Sequence, residues 1–191
     1  MKKKKVFELI DNAHKTDPQF ETVDNIDIPK ELAYSDRMLD WLMKFEPNAS
    51  ELQQIAIKCQ HLYRWKIARS EYPLGKKGYY QWRIALYDFQ ANKAAEILEE
   101  CNYSAKEITV VKQMVSKKDL KNSADTQLLE DIACLVFIEF YLSDFAQDYT
   151  EEKLIKIIQR TWNKMSEKAH DFAVKIELSE KVQSVLQKAL A

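Results

Sequence analysis

The chain has 191 residues, of which 46% are hydrophobic and 11% aromatic, so it can bury a substantial core. Only two glycines and four prolines are present, which argues against an all-β fold with its many tight turns. The formal net charge of −1 provides no global attraction to nucleic acid. These features predict an all-α fold, an irregular bundle of about seven helices.

The predicted helices follow from hydrophobic periodicity and capping signals along the chain. The first helix covers about residues 3–15, and residues 18–29 are interpreted as a polar loop. The later helices cover about residues 31–45, 50–67, 78–101, 104–116, 125–145 and 150–176, with a short one after Ser179. We predict a single domain over residues 1–191, in which about 150–191 form a C-terminal helical arm packed on the rest.

The three cysteines, Cys59, Cys101 and Cys134, are far apart in apolar helical contexts. Their number and spacing show neither a disulfide framework nor a zinc motif, so we predict buried thiols in a reducing cytoplasm. No stretch approaches the roughly 20 apolar residues that a membrane helix needs. The N-terminal MKKKKVFELI begins like a signal peptide, but its apolar run is short and interrupted by acids.

The segment from Gln60 to Arg83, QHLYRWKIARSEYPLGKKGYYQWR, holds six basic residues, one acidic residue and both glycines of the chain. Basic side chains can neutralise an anion, and an arginine can grip phosphate or carboxylate in a bidentate way. We therefore predict that an anionic small molecule binds here. The predicted anion-binding residues are Arg64, Arg69, Lys76, Lys77 and Arg83.

The aromatic residues of the same segment can stack on a base, and they are Tyr72, Tyr79, Tyr80 and Trp82. The glycine spacing differs from that of a Walker A loop, and no Ser or Thr follows the lysines. A solvated structural loop, whose aromatics belong to the core, is the main alternative. A nucleic-acid surface is the least favoured interpretation.

Two polar residues lie among apolar neighbours at helical spacing. His61 is in line with Ile57 and Trp65 on the predicted third helix. It is interpreted either as a functional histidine or as a core histidine bonded to a backbone carbonyl. Asp131 lies on the apolar sixth helix, where a buried carboxylate must be paired, protonated or bound to metal. A salt bridge to Arg64 or Arg83 is the structural alternative for Asp131.

Gln90 lies seven residues after Arg83 and therefore on the same face of the predicted fourth helix. Its amide can bond either a ligand or another side chain. We include Gln90 among the predicted ligand-binding residues.

The motifs QH-x-x-RW and YP-x-G-x-x-GY-x-WR, followed by LYDFQANKAAEIL and LLEDIACLVFIE, resemble an uncharacterised helical family known as domain of unknown function 4202. The resemblance covers about residues 6–170. The order of polar residues is also similar, more distantly, to that of HD-type metal-dependent phosphohydrolases. That second similarity implies an HD-like bundle in which His61 and Asp131 are catalytic residues and metal ligands. The middle His-Asp pair would fall at Gln90 and Ala91, so the metal site would be degraded or rebuilt.

The leading hypothesis is a site for a phosphorylated or otherwise anionic small molecule, with a divalent metal as a further candidate cofactor. The rival hypothesis is a non-catalytic module whose basic segment docks an acidic protein. The sequence leaves open the ligand, any reaction and a homo-oligomeric state.

Overall fold

The computed structural model describes residues 2–120 and 122–190, which are mostly α-helical. The described residues form ten α-helices instead of the predicted seven. The helices are α1 Lys2–His14, α2 Lys30–Phe45, α3 Glu51–Lys58, α4 Gly75–Glu100, α5 Ala105–Val115, α6 Ala124–Val136, α7 Leu142–Phe145, α8 Glu151–Trp162, α9 Glu167–Ala173 and α10 Glu180–Leu190. Short 3-10 turns occupy Arg64–Lys66 and Arg69–Glu71, and a π-helical turn at Phe137–Tyr141 joins α6 to α7.

A β-hairpin occupies most of residues 18–29, where a polar loop was predicted. Strand β1, Phe20–Val23, pairs antiparallel with β2, Ile26–Pro29. The two linking residues, Asp24 and Asn25, have φ angles of 50° and 64°. Asp and Asn tolerate this left-handed conformation, which a two-residue hairpin turn requires. The loop prediction is therefore wrong, because it overlooked this turn chemistry.

The predicted helix starts are confirmed where a capping box marks them. Ser50 caps α3 together with Gln53, and Ser104 caps α5 together with Glu107. In each box the serine side chain accepts from the backbone N–H three residues on, and that residue's side chain accepts in return. These contacts are local, so a short sequence pattern is enough to predict them.

Three helix boundaries differ from the prediction. The third helix ends at Lys58 rather than near residue 67, and the fourth begins at Gly75 rather than near residue 78. The predicted helix over 150–176 is divided into α8 and α9. Apolar periodicity continues through the turn after α3, which explains why the sequence pattern overestimated the length of that helix.

The chain divides into two compact units, with the boundary between Leu129 and Glu130 inside α6. In the first unit α3 lies at the centre, in contact with α1, α2 and α5, and its Ile55, Ala56 and Ile57 are fully buried. Helix α4 packs along α5 in the same unit. The prediction of one domain with a C-terminal arm stays a prediction.

In the second unit α8 packs against α10. Leu154 and Ile158 of α8 and Val182, Val185 and Leu186 of α10 are buried. Apolar residues at helical spacing therefore point inward on both helices.

All three cysteines are buried and remain outside any disulfide, which confirms the prediction of buried thiols. Burial raises the pKa of the Cys59 thiol to about 12, so this thiol stays protonated at neutral pH. Within residues 2–120 and 122–190, no helix has the length and apolar character needed to cross a bilayer.

Candidate functional site

His61 lies in the turn that follows α3, with a left-handed backbone φ of 68°. Tyr63, two residues later, is also left-handed, at 54°. Because α3 has ended at Lys58, the predicted helical alignment of His61 with Ile57 and Trp65 does not apply. Left-handed conformations are unfavourable for residues with a Cβ, and they persist where the surrounding structure enforces them.

The His61 ring is bonded on both nitrogens. Its Nδ1 lies 2.9 Å from Glu31 Oε2, and its Nε2 lies 3.1 Å from Arg64 Nη1. A guanidinium can only donate, so Nε2 must accept and the ring proton must lie on Nδ1, from which it is donated to Glu31. Arg64 Nε also lies 3.7 Å from Glu31 Oε1. These contacts define a neutral histidine held between a carboxylate and a guanidinium.

Tyr34 of α2 fixes the plane of the imidazole. Its ring stacks on that of His61 with centroids 4.1 Å apart and an interplanar angle of 15°. The His61 side chain remains 18% exposed and that of Arg64 27% exposed. A small solute can therefore reach the outer edge of this arrangement.

Burial and nearby cations lower the pKa of His61. Burial lowers the pKa of His61 well below its ordinary value, and the nearby charges of Arg64, Arg83 and Lys117 lower it further. Burial raises the pKa of Glu31, although Arg64 opposes this shift. The group that we call the His61 site consists of Glu31, Tyr34, His61, Arg64, Arg83 and Lys117. The cations of this group attract anions.

A second histidine, His14, bonds the end of α3, close in sequence to His61. His14 of α1 is fully buried, and its Nε2 donates to the carbonyl oxygen of Lys58 at 2.9 Å. Ser35 Oγ donates to the same carbonyl at 3.2 Å. Burial lowers the pKa of His14, so its Nδ1 carries a lone pair, and no donor among the described residues reaches it. The network fixes the end of α3, after which the chain turns to His61.

Glu31 is held at the start of α2. Its backbone N–H donates to Asp17 Oδ2 at 3.0 Å. A carboxylate in the first helical turn is stabilised by the helix dipole. No motif in the sequence marked Glu31, and only its position near a helix start could have drawn attention to it.

Two of the predicted arginines contact aromatic rings. The Arg64 guanidinium lies 5.0 Å from the centroid of Trp82, whose Nε1 donates to the Ile67 carbonyl at 3.0 Å. Arg83 donates to the hydroxyl of Tyr87 and lies 4.8 Å from its ring. Lys117 lies 5.6 Å from that ring, so it joins Arg83 at one aromatic side chain. Lys117 was not predicted, because it is distant in sequence from the basic segment.

Arg69 has a structural contact. It donates through Nη1 to the Tyr72 carbonyl at 2.8 Å and through Nη2 to the Pro73 carbonyl at 2.9 Å. It thereby braces the turn before α4. Tyr72, itself predicted to bind ligand, is half-buried in this turn.

The first turn of α4 carries the predicted Lys76 and Lys77, both exposed. They lie on a helix rather than in the predicted loop. Tyr79, also a predicted ligand-binding residue, follows them on the exposed side of the same helix.

Gln90 is buried on α4, and its Nε2 finds no hydrogen-bond acceptor among the described residues. Its predicted role in ligand binding is consistent with a free donor and stays a prediction.

Asp131 is a buried residue of α6 in the second unit, and its carboxylate bonds the start of α9. Its Oδ1 accepts from the Ser166 N–H at 2.8 Å and its Oδ2 accepts from Ser166 Oγ at 2.6 Å. Ser166 is the N-cap of α9. Within the part of the chain that the structure describes, no group of three or more His, Cys, Asp or Glu residues is arranged to hold a metal ion. The predicted metal and catalytic roles of Asp131 stay predictions.

Comparison with known proteins gives one match. The profile of the family described as Domain of unknown function (DUF4202) matches residues 4–186, which confirms the resemblance based on the Gln60–Arg83 motifs. No curated protein and no solved structure matches the chain. The similarity to HD-type phosphohydrolases stays a prediction.

Proposed function

This chain belongs to the DUF4202 family, whose description assigns no activity, and we propose that it binds a phosphorylated or otherwise anionic small molecule at the His61 site. The observation that carries the proposal is the partly exposed Arg64 guanidinium, whose Nη1 lies 3.1 Å from Nε2 of a neutral histidine. Arg64, Arg83 and Lys117 all act on His61, whereas Glu31 is the carboxylate bonded to it. A bound anion would accept hydrogen bonds from the Arg64 guanidinium.

Arg64 is the residue that responds to the anion. Its Nη1 rests on His61 Nε2, which is a weak acceptor compared with a phosphate oxygen. When the guanidinium turns to a phosphate, the Nε2 lone pair becomes free. Glu31 still accepts the hydrogen bond from His61 Nδ1–H, and this bond keeps the imidazole in the tautomer whose Nε2 carries the lone pair.

A freed Nε2 suits phosphoester hydrolysis as the catalytic form of this proposal. His61 would accept a proton from a water molecule that attacks phosphorus, and it would return that proton to the leaving oxygen as the P–O bond breaks and the alcohol departs. The HD-like version would add a divalent metal, for which His61 Nε2 is a candidate ligand. Such a metal would need the same Nε2 lone pair, so it would compete with Arg64.

The test is calorimetric titration with inorganic phosphate and pyrophosphate, each with and without Mn²⁺. Arg64→Gln is expected to weaken binding about tenfold or more, because a hydrogen bond to a charged group contributes about 1.5–3 kcal/mol and 1.4 kcal/mol is tenfold. Lys106→Gln, which removes an exposed positive charge near the start of α5, serves as the matched control and should bind as the wild type does.

Two outcomes would contradict the proposal. One is that neither phosphate nor pyrophosphate binds the wild-type protein. The other is that Arg64→Gln and Lys106→Gln weaken binding equally, which would indicate general charge attraction. Binding that requires Mn²⁺ would favour the metal-dependent version.

A second candidate function is docking of an acidic protein partner by the start of α4. Leu74, which immediately precedes α4, is 95% exposed, and Lys76 and Lys77 of the first turn are also exposed. An apolar side chain close to lysines in sequence fits an acidic, partly apolar surface. Failure of the wild-type protein to bind either phosphate probe would leave this candidate in place.

A further inference from the structure

We propose that the ligand of the His61 site is a nucleotide, whose phosphate binds at Arg64 and whose base stacks on Tyr79 and Tyr80. This inference rests on the function proposed above and specifies its ligand class. It follows from a continuous row of contacts that begins at His61 and ends at exposed rings on α4.

The row runs from the arginine through three aromatic side chains. The Arg64 guanidinium lies 5.0 Å from the Trp82 ring. The Trp82 ring lies 5.9 Å from that of Tyr79, with the planes tilted by 51°. Tyr79 and Tyr80 follow at 5.9 Å in an edge-to-face contact. The phosphate-binding guanidinium and the exposed rings are thus joined by direct contacts through a single buried tryptophan.

The rings at the outer end of the row are available for a ligand. Tyr79 is 44% exposed and Tyr80 is 53% exposed, whereas Trp82 is buried. Large aromatic side chains are normally buried more completely, and neighbouring exposed ones mark binding surfaces. Lys76 Nζ lies 5.9 Å from the Tyr80 ring and adds positive charge at this end.

The backbone beneath the rings is held firmly. Trp82 Nε1 donates to the Ile67 carbonyl, and Arg69 bonds two carbonyls of the preceding turn. Gly78 packs so closely on Pro73 that an added Cβ would overlap the proline carbonyl. A ligand would therefore meet rings that are already positioned, which reduces the entropic cost of binding.

The cationic end of the row at Arg64 suits a phosphate, and the aromatic end at Tyr79 and Tyr80 suits a base. Inorganic phosphate or a sugar phosphate would engage only the cations, whereas a nucleotide would also cover the exposed rings. Stacking on tyrosine is tolerant of the base, since every base has a π face. We therefore expect adenine and guanine nucleotides to bind with similar affinity.

The experiment is calorimetric titration of the full chain with AMP, GMP and ribose 5-phosphate. AMP is expected to bind about tenfold more tightly than ribose 5-phosphate, as one stacked base provides. Tyr79→Leu should remove most of this advantage without changing the affinity for ribose 5-phosphate. Tyr79→Phe, which keeps the ring, should retain the advantage. Phe89→Leu, located ten residues and about 15 Å further along α4, is the control for loss of an aromatic side chain.

The outcomes separate this inference from the proposed function. If ribose 5-phosphate and AMP bind equally, the nucleotide inference is wrong while anion binding stands. Equal losses of AMP affinity in Tyr79→Leu and Phe89→Leu would likewise overturn it. If none of the three ligands binds, and phosphate and pyrophosphate also fail, both proposals are wrong. Thermal unfolding of each variant checks that the substitutions leave the fold intact.

Discussion

His61 combines a left-handed backbone with hydrogen bonds on both ring nitrogens. Neither feature can be read from its neighbours in sequence, since Glu31 is thirty residues away. The interpretation of His61 as bonded to a backbone carbonyl fits another histidine, because it is His14 that bonds the Lys58 carbonyl. At the scale of the residue, the orientation of a side chain depends on partners that only folding supplies.

Substitution of His61 separates the role of the ring from that of the backbone. His61→Asn should destabilise the protein by about 1–3 kcal/mol, because the buried Glu31 carboxylate loses its donor. His61→Val should lose a further 1–2 kcal/mol, because asparagine tolerates the left-handed conformation and a β-branched residue does not. Urea denaturation of the two variants measures the difference. Equal stabilities would show that the backbone conformation contributes nothing.

The boundaries of α3 and α4 show that apolar periodicity alone does not decide where a helix begins or ends. The apolar pattern continues past Lys58, yet the chain leaves the helix there and takes left-handed turns at His61 and Tyr63. Helix α4 begins three residues before the predicted start, since Gly75 with φ of 84° allows the chain to enter it. The close packing of Gly78 against Pro73 then seats its first turn.

The two glycines are expected to respond differently to alanine. Gly78→Ala should destabilise the protein by about 1–3 kcal/mol or more, since the new methyl group overlaps backbone that must shift. Gly75→Ala should lose about 1–2 kcal/mol through its left-handed φ alone, because no atom lies near the added Cβ. Gln81→Ala, exposed on the same helix, is the control and should change stability little. A Gly78→Ala protein as stable as the wild type would contradict the packing argument.

At the scale of the whole molecule, net charge conceals the local distribution. The chain as a whole carries −1, while the cations Arg64, Arg83 and Lys117 all lower the pKa of His61. The buried titratable groups His14, His61 and Glu31 make global stability depend on pH. The pKa of each histidine is lowered and that of Glu31 is raised, so the two kinds of group change the stability in opposite directions as the pH falls.

Stability is expected to fall as pH is lowered from about 7 to 5. The unfolded histidines bind protons near pH 6.5, whereas burial keeps the pKa of His14 and His61 lower in the folded protein. Each histidine therefore lowers the free energy of unfolding by up to about 1.4 kcal/mol for each unit by which the pH falls in this window. The raised pKa of Glu31 opposes the trend, because the folded state gains the proton first.

Urea denaturation at a series of pH values measures this slope. The double variant His14→Gln, His61→Gln should lose most of the fall between pH 7 and 5. A slope identical to that of the wild type would contradict the assignment of the pH dependence to these two residues.

Local sequence patterns determined the helical class, the capping boxes at Ser50 and Ser104, the buried thiols and membership of the family. They also placed His61, Arg64 and Arg83 among the candidate residues, because basic and aromatic side chains cluster over residues 60–83. These features depend on interactions between residues a few positions apart, which a periodic or capping pattern records.

Only the tertiary structure brought Glu31 and Lys117 to His61, and only it showed that Arg69 braces a turn and that Asp131 bonds Ser166. The tertiary structure also showed the β-hairpin at residues 20–29. The physical reason is that packing joins segments that are distant along the chain, and a single sequence carries no local sign of which distant partner a polar side chain will meet.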